Sequence, residues 1–545
     1  MWLQPRSLTL WLFRLYAVIT SILMTPCLHA DGALFDRFSL DVGLVREPTI
    51  IPAFVTGGDI ADIVVIAQHE RHRQFSIYGF DGTGWEKAVT RALPRYTRFV
   101  DIANVNGQEH LIAYVGDHMM RFDLQSEGFQ SIVSMPTTFR ARPDVALPRL
   151  RVARDLNGNG RDDLVMPDVD GFWISLQSVD GTFAAPIKVG PPEPYRELTM
   201  VGDKQSYGEA GISTQTLPWY LSRLHVADFT GNSRTDLVFW DGDQFLVYPQ
   251  QANGEFETDP MISSLHAPQN TPQNAPFDAV GMYSVAFEFK ENFLRLTTGL
   301  RRKTNIAILT DIRDINGDGT PDLTTVTLSG RSVFRLKSSF RVHAGRRTKT
   351  GITFSTDSDE TRPDYKGTAW TYANLSLHDS PDGQVFMMYM NVPTSIGQFY
   401  RILVRKTMSL HLEIYRFDKG AAAIPVKVMY VKPKYDKVAR KGPFFPATLL
   451  GDVTGSGHMD LLVGNAWNTL HVYPGKPGAL VFDEAPIPVT VSMTSNENNT
   501  RLEKLTRGHT MGLLIEHFTD EDAAATAKTE VTTSRLEILL PAGST

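Results

Sequence analysis

The chain has 545 residues, of which 42% are hydrophobic and 21% charged, with a formal net charge of −6 and a single cysteine, Cys27. That composition supports a real apolar core, while the mild acidity and the lack of a basic arm exclude nucleic acid as the natural partner. One cysteine also excludes a disulfide framework and a Cys₂His₂ zinc site.

Residues 1–30 read as an export signal. Arg6 and Arg14 precede the apolar run Leu15–Met24, which is too short for a comfortable membrane span and ends near a cleavage-like stretch closing at Ala30. Cleavage there leaves residues 31–545 without a cysteine and with a charge of −8. An exported chain of that kind, periplasmic, secreted or on the cell surface, relies on its core and on any metal it holds. With the signal removed it is not an integral membrane protein.

The rest alternates two signals: a polar loop that enters an apolar strand, and a later glycine hairpin with an aromatic behind it. The first unit has a reduced loop, Thr56–Asp62, before Ile63–Ile66, then the hairpin Asp81–Trp85. The second has a shorter loop, Asn104–Gly107, then Glu127–Phe129. The third, fourth and fifth pair loops starting at Asp155, Asp228 and Asp314 with hairpins ending at Phe183, Phe256 and Phe354. The sixth runs from Asp379–Gly383 into Val385–Met390, with a further strand at His411–Arg416. The seventh pairs a loop at Asp452 with Gly475–Gly478 and Phe482.

Four of these loops share one nine-residue pattern. Asp314, Asn316, Asp318 and Asp322 place side-chain oxygens at positions 1, 3, 5 and 9, Gly319 allows a sharp turn at position 6, and the Thr320 carbonyl stands at position 7. The same positions are Asp155, Asn157, Asn159, Arg161 and Asp163 in one copy, and Asp228, Thr230, Asn232, Arg234 and Asp236 in the next. They are Asp452, Thr454, Ser456, His458 and Asp460 in the last, with position 7 contributing its carbonyl throughout. Alternate oxygens on a tight loop suit a hard cation such as Ca²⁺, which takes six to eight oxygens. An EF-hand is excluded, because position 12 is Thr325 within the β-branched run Leu323–Leu328 rather than a glutamate opening a helix. Ser233 replaces the glycine in the Asp228 copy, and hydroxyls replace two donors in the Asp452 copy, so these two loops should hold metal more weakly.

At these four loops and the strands behind them the chain resembles the FG-GAP/VCBS repeat family, the calcium-binding blades of integrin-α-like β-propellers. The resemblance implies an all-β fold, a single propeller over residues 31–545, and Ca²⁺ in the loops. Seven loop-and-hairpin units point to seven blades, with six or eight also open. Long inter-strand insertions would lie at 191–217, 267–300 and 356–369. The terminal segments Phe35–Leu44, Gly512–His517 and Arg535–Leu540 would complete one blade and so remove its exposed edge.

No nucleophile-elbow, zinc-helix or phosphate-loop motif occurs, and no catalytic residue is assigned. The polar cluster His69–Arg73 reads as a solvated loop, and Trp173, Phe239, Trp240 and Trp370 as blade core. The expected function is a binding or adhesion module for an extracellular protein or carbohydrate. A polysaccharide lyase or hydrolase on the same scaffold, and a sugar-binding lectin, are the alternatives.

Overall fold

The apolar runs behind the loops are continuous rather than alternating because both faces of their strands are buried. In the strand Asp62–His69, Ile63 and Val65 face one seam while Val64 and Ile66 face the next. Likewise Leu461 and Val463 serve one interface and Leu462 the other. A sheet with two dry faces must be sandwiched between neighbours, and a ring of such sheets satisfies every member.

A computed structural model describes residues 34–69, 72–137, 147, 149–168, 171–190, 224–241, 244–264, 304–330, 337–348, 351–354, 365–366, 376–391, 397, 410–417, 423–431, 434–435, 443–444, 447–478, 481–494, 499–520 and 532–544. It forms an eight-bladed β-propeller in which each blade is a four-stranded antiparallel sheet. Blade 1 uses the second half of Phe35–Ala53 with Asp62–His69, His72–Phe80 and Trp85–Ala92. Blade 2 spans Thr97–Ser134, blade 3 Ala153–Val189, blade 4 Leu224–Ser264 and blade 5 Thr304–Lys366. Blade 6 covers Ser376–Val431 and blade 7 Thr448–Thr490. The first strands lie nearest the axis and approach those of neighbouring blades. Leu150 N–H donates to the Val100 carbonyl at 3.0 Å, and Arg501 Nη2 to the Ile50 carbonyl at 2.9 Å.

The blade count corrects the favoured seven to eight. Thr500–Glu503, Gly512–Asp520 and Thr532–Pro541 build an eighth blade, and the first half of Phe35–Ala53 supplies its outer strand. The loop after Thr500–Glu503 contains no acidic residue, so it carried no repeat signal. The terminal strands close the ring as expected, but as a blade of their own. A bulge at Asp41–Gly43 and an irregularity between Arg46 and Thr49 let one 19-residue strand leave blade 8 and enter blade 1. Gly43 takes φ 80° there, and its N–H donates to Asp41 Oδ1 at 2.8 Å. Arg37 pairs with Glu537 across this closure, and His517 Nε2 lies 3.3 Å from the same carboxylate. Burial pushes Glu537 up, but the hydrogen bonds from His517 and Arg37 outweigh it and hold the carboxyl below its usual value.

The expected export signal and the expected insertions at 191–217 and 267–300 lie outside the described residues, as does nearly all of 356–369. Among the described residues no helix is long and apolar enough to cross a membrane.

Candidate metal loops and the seams they close

Each nine-residue loop joins the first and second strands of its blade, so all four stand on one face of the ring. Position 1 organises the turn. Asp314 Oδ1 accepts from Gly317 N–H at 2.7 Å and Asp318 N–H at 3.2 Å, and Oδ2 from Gly319 N–H at 2.7 Å. Asp452 repeats this with Gly455, Ser456 and Gly457, and Asp228 with Gly231, Asn232 and Ser233. Asp155 accepts from Asn159 and Gly160. Positions 3 and 5 fold back in the same way, Asn316 Oδ1 accepting from Asp318 N–H at 2.8 Å and Asp318 Oδ1 from Thr320 N–H at 2.7 Å. Asn159 and Asn232 accept from the position-7 amides of Arg161 and Arg234.

These bonds need positive φ at positions 4 and 6, as at Gly317 (73°) and Gly319 (80°). Ser233 adopts 63° in the place of that second glycine, so the Asp228 loop keeps the common backbone with some local strain.

Position 9 does something different. Asp163, Asp236, Asp322 and Asp460 are fully buried. Asp322 Oδ2 accepts from Ile315 and Asn316 N–H at 3.0 and 3.3 Å, and Oδ1 from Gly345 N–H at 2.9 Å, just past the third strand. Asp460 takes the amides of Val453, Thr454 and Gly475, and Asp236 those of Phe229, Thr230 and Gln250. Asp163 takes those of Leu156 and Gln177. The carboxylate thus rivets the loop to the far side of its own sheet. Burial pushes Asp163 up to about 6 and raises Asp322 and Asp460, against the lowering effect of the amides.

Asp62 is a fifth rivet, its Oδ2 accepting Thr56 N–H at 2.6 Å. Blade 1 therefore keeps position 9 without the donors at positions 1 and 5. The Thr-to-Asp spacing of six residues, shared with Thr230–Asp236 and Thr454–Asp460, marks it in the sequence. The Asn104 loop is only a tight turn, with Asn106 and Gly107 at φ 54° and 85°.

Neighbouring blades grip these loops. Gln250 Nε2 donates to the Asn157 carbonyl at 3.1 Å and Thr235 Oγ1 to the Leu156 carbonyl at 2.9 Å. Met511 N–H donates to the Asp452 carbonyl at 2.7 Å, and His458 Nδ1 lies 3.2 Å from Asp382 Oδ2. Arg347 of blade 5 reaches furthest. Its Nη2 donates to Asp228 Oδ2 and the Asp228 carbonyl, both at 3.1 Å, and to the Gly319 carbonyl at 2.9 Å. A Cβ on Gly231 would come within 2.8 Å of this guanidinium, so the loop backbone is fitted to it. A positive charge already sits on the Asp228 loop.

As a donor set, the Asp155 and Asp314 loops fit a hard cation: carboxylate and amide oxygens at positions 1, 3 and 5, a carbonyl at 7, and no soft ligand. Among the described residues no group of three His, Cys, Asp or Glu side chains is placed to hold a metal ion by those side chains alone. The residues 1, 3 and 5 stand together on the loop, and position 9 lies beneath it with its amides. Of the aromatic residues, Phe239 is buried core, whereas Trp173 is half-buried with Nε1 donating to Asp168 Oδ2 at 2.9 Å. Trp370 and the Trp240 side chain lie outside the described residues.

No protein-family model matches the chain, and no curated protein matches it. Solved structures similar to it include the β-propeller domain of Nup133 from Vanderwaltozyma polyspora, at 6% identity over 94% of this chain and 99% of that one, with a TM-score of 0.34. An Agrocybe aegerita lectin that recognises non-reducing terminal N-acetylglucosamine shares 13% identity over 71% of this chain and 80% of its own, at a TM-score of 0.35. The WD40 domain of SCAP from fission yeast shares 7% identity over 94% and 99%, at 0.28. Likeness at this level lends the chain no function.

Proposed function

We propose that the chain is an exported, calcium-stabilised β-propeller that serves as a binding or adhesion module for an extracellular protein or carbohydrate. The observation that carries this reading is the four-fold recurrence of one oxygen-bearing loop on one face of a closed ring, with the Asp155, Asp228 and Asp452 copies gripped by neighbouring blades. Calcium would be held by Asp155, Asn157, Asn159 and the Arg161 carbonyl, and by Asp314, Asn316, Asp318 and the Thr320 carbonyl, with Asp163 and Asp322 beneath. A bound cation also favours the ionised form of those buried carboxylates, offsetting the burial that raises them. The Asp228 loop has Arg347 in a comparable electrostatic role, and the Asp452 loop offers less charge, so both take calcium more weakly. A ring locked in this way holds the opposite face rigid, which is what a recognition surface needs.

The test is retention of the exported chain on immobilised polysaccharides and matrix proteins, with calcium and with chelator, while soluble products are scored. Retention without products, reduced by chelation, is the expected result. Release of oligosaccharides would replace the binding-module reading with an enzymatic one.

A further inference from the structure

The face opposite the acidic loops is made by connections that lead from the outer strand of one blade into the axial strand of the next. The first of these carries an unusual residue. Tyr96 is 70% exposed and holds φ 73°, in a turn closed by Thr97 N–H and Oγ1 donating to the Pro94 carbonyl at 3.1 and 2.7 Å. The third position of such a turn is glycine's by preference, because a side chain there strains the backbone. A bulky ring that accepts this strain and stays in water contributes little to the core, so its position suits something outside the fold.

Its surroundings are cationic. The Arg95 guanidinium lies over the Tyr96 ring, 5.1 Å from its centroid. Arg73, from the polar cluster His69–Arg73, donates from Nη1 to the Thr97 carbonyl at 3.2 Å, and its own carbonyl accepts Leu93 N–H at 2.9 Å. Arg98 lies 5.4 Å from the Tyr114 ring centroid. Among the described residues beside this turn, Asp117 is acidic and lies 3.2 Å from His118 Nε2. The Arg95 and Arg73 guanidiniums and the Tyr96 phenol therefore stand at one turn, where the second blade enters the axis.

We propose that this turn binds an acidic polysaccharide, with Tyr96 stacking on the C–H face of a sugar ring and Arg95 and Arg73 pairing with its carboxylates. This deepens the binding-module reading and rests on it. An exposed aromatic beside planar guanidiniums matches a polymer that alternates flat apolar ring faces with carboxylates. An acidic peptide offers the carboxylates on flexible stems but no such face.

The full exported chain is passed over immobilised hyaluronate and polygalacturonate, with neutral dextran and polyglutamate as controls. Retention on the acidic polysaccharides, weakening with salt, is expected. Tyr96→Gly and Arg95→Met should each reduce it by about tenfold or more. The melting temperature of Tyr96→Gly should hold or rise, because glycine takes φ 73° without strain. That combination separates a ligand contact from a structural role. Undiminished retention by Tyr96→Gly, or tighter capture by polyglutamate, overturns the site. Retention on a neutral glycan or a protein matrix alone also overturns it but leaves the binding-module reading standing, whereas no retention on any matrix removes both.

Discussion

Asp322→Ala is expected to cost about 3–5 kcal/mol of stability, with or without calcium. Three amides, from Ile315, Asn316 and Gly345, end on this fully buried carboxylate. Removing it leaves buried donors unpaired at about 1–3 kcal/mol each, partly relieved by water entering the loop. Denaturant unfolding of wild type and variant, in calcium and in chelator, checks this. Asp322→Asn, which keeps one acceptor oxygen, should fall between. A variant as stable as wild type would mean that position 9 is not the rivet described above. Asp314→Ala, by contrast, should matter mainly when calcium is present, since its amide partners sit in an exposed turn.

The second large effect concerns closure. Leu40 is 6% exposed and packs with Trp85 of blade 1 and with Leu536 and Ile538 of blade 8. Leu40→Asp puts an unpaired carboxylate into that seam, at about 3–5 kcal/mol. The ladder there joins Phe35 to Pro541, and the Arg37–Glu537 pair spans 500 residues of sequence. Only hydrogen bonds and side-chain packing hold the N-terminal strand to the C-terminal strands of blade 8, so damage at this seam should open the ring rather than loosen one strand. A larger hydrodynamic radius and early proteolysis between blades 8 and 1 are the expected readouts. A variant that stays compact and protease-resistant would contradict closure by the N-terminal strand.

These two cases also mark what was legible in the sequence. The loops and the strands behind them were readable because oxygens at fixed spacing and apolar runs such as Leu461–Val463 are local patterns. Blade 8 was legible only in part: Phe35–Leu44, Gly512–His517 and Arg535–Leu540 read as strands of a closing blade, but its loop Lys504–Met511 lacks carboxylates, so nothing marked it as an eighth unit. The nine-residue pattern placed all its oxygens in one set. In the fold, position 9 faces inward to amides while positions 1, 3 and 5 shape the turn. Periodicity cannot separate those roles, because they depend on Gly345, Gly475, Gln177 and Gln250, each contributed by a later strand end. Arg347 was equally hidden, as it lies 119 residues from the Asp228 that it clamps.

Calcium binding by the purified chain, measured by equilibrium titration together with its thermal shift, tests the central claim most directly. Binding at the Asp155 and Asp314 loops, half-saturated at roughly 10⁻⁴–10⁻³ M, is predicted, with a raised melting temperature. Asp314→Ala should lose one equivalent and part of that rise. No binding at millimolar calcium, or an unchanged stoichiometry in Asp314→Ala, would contradict it.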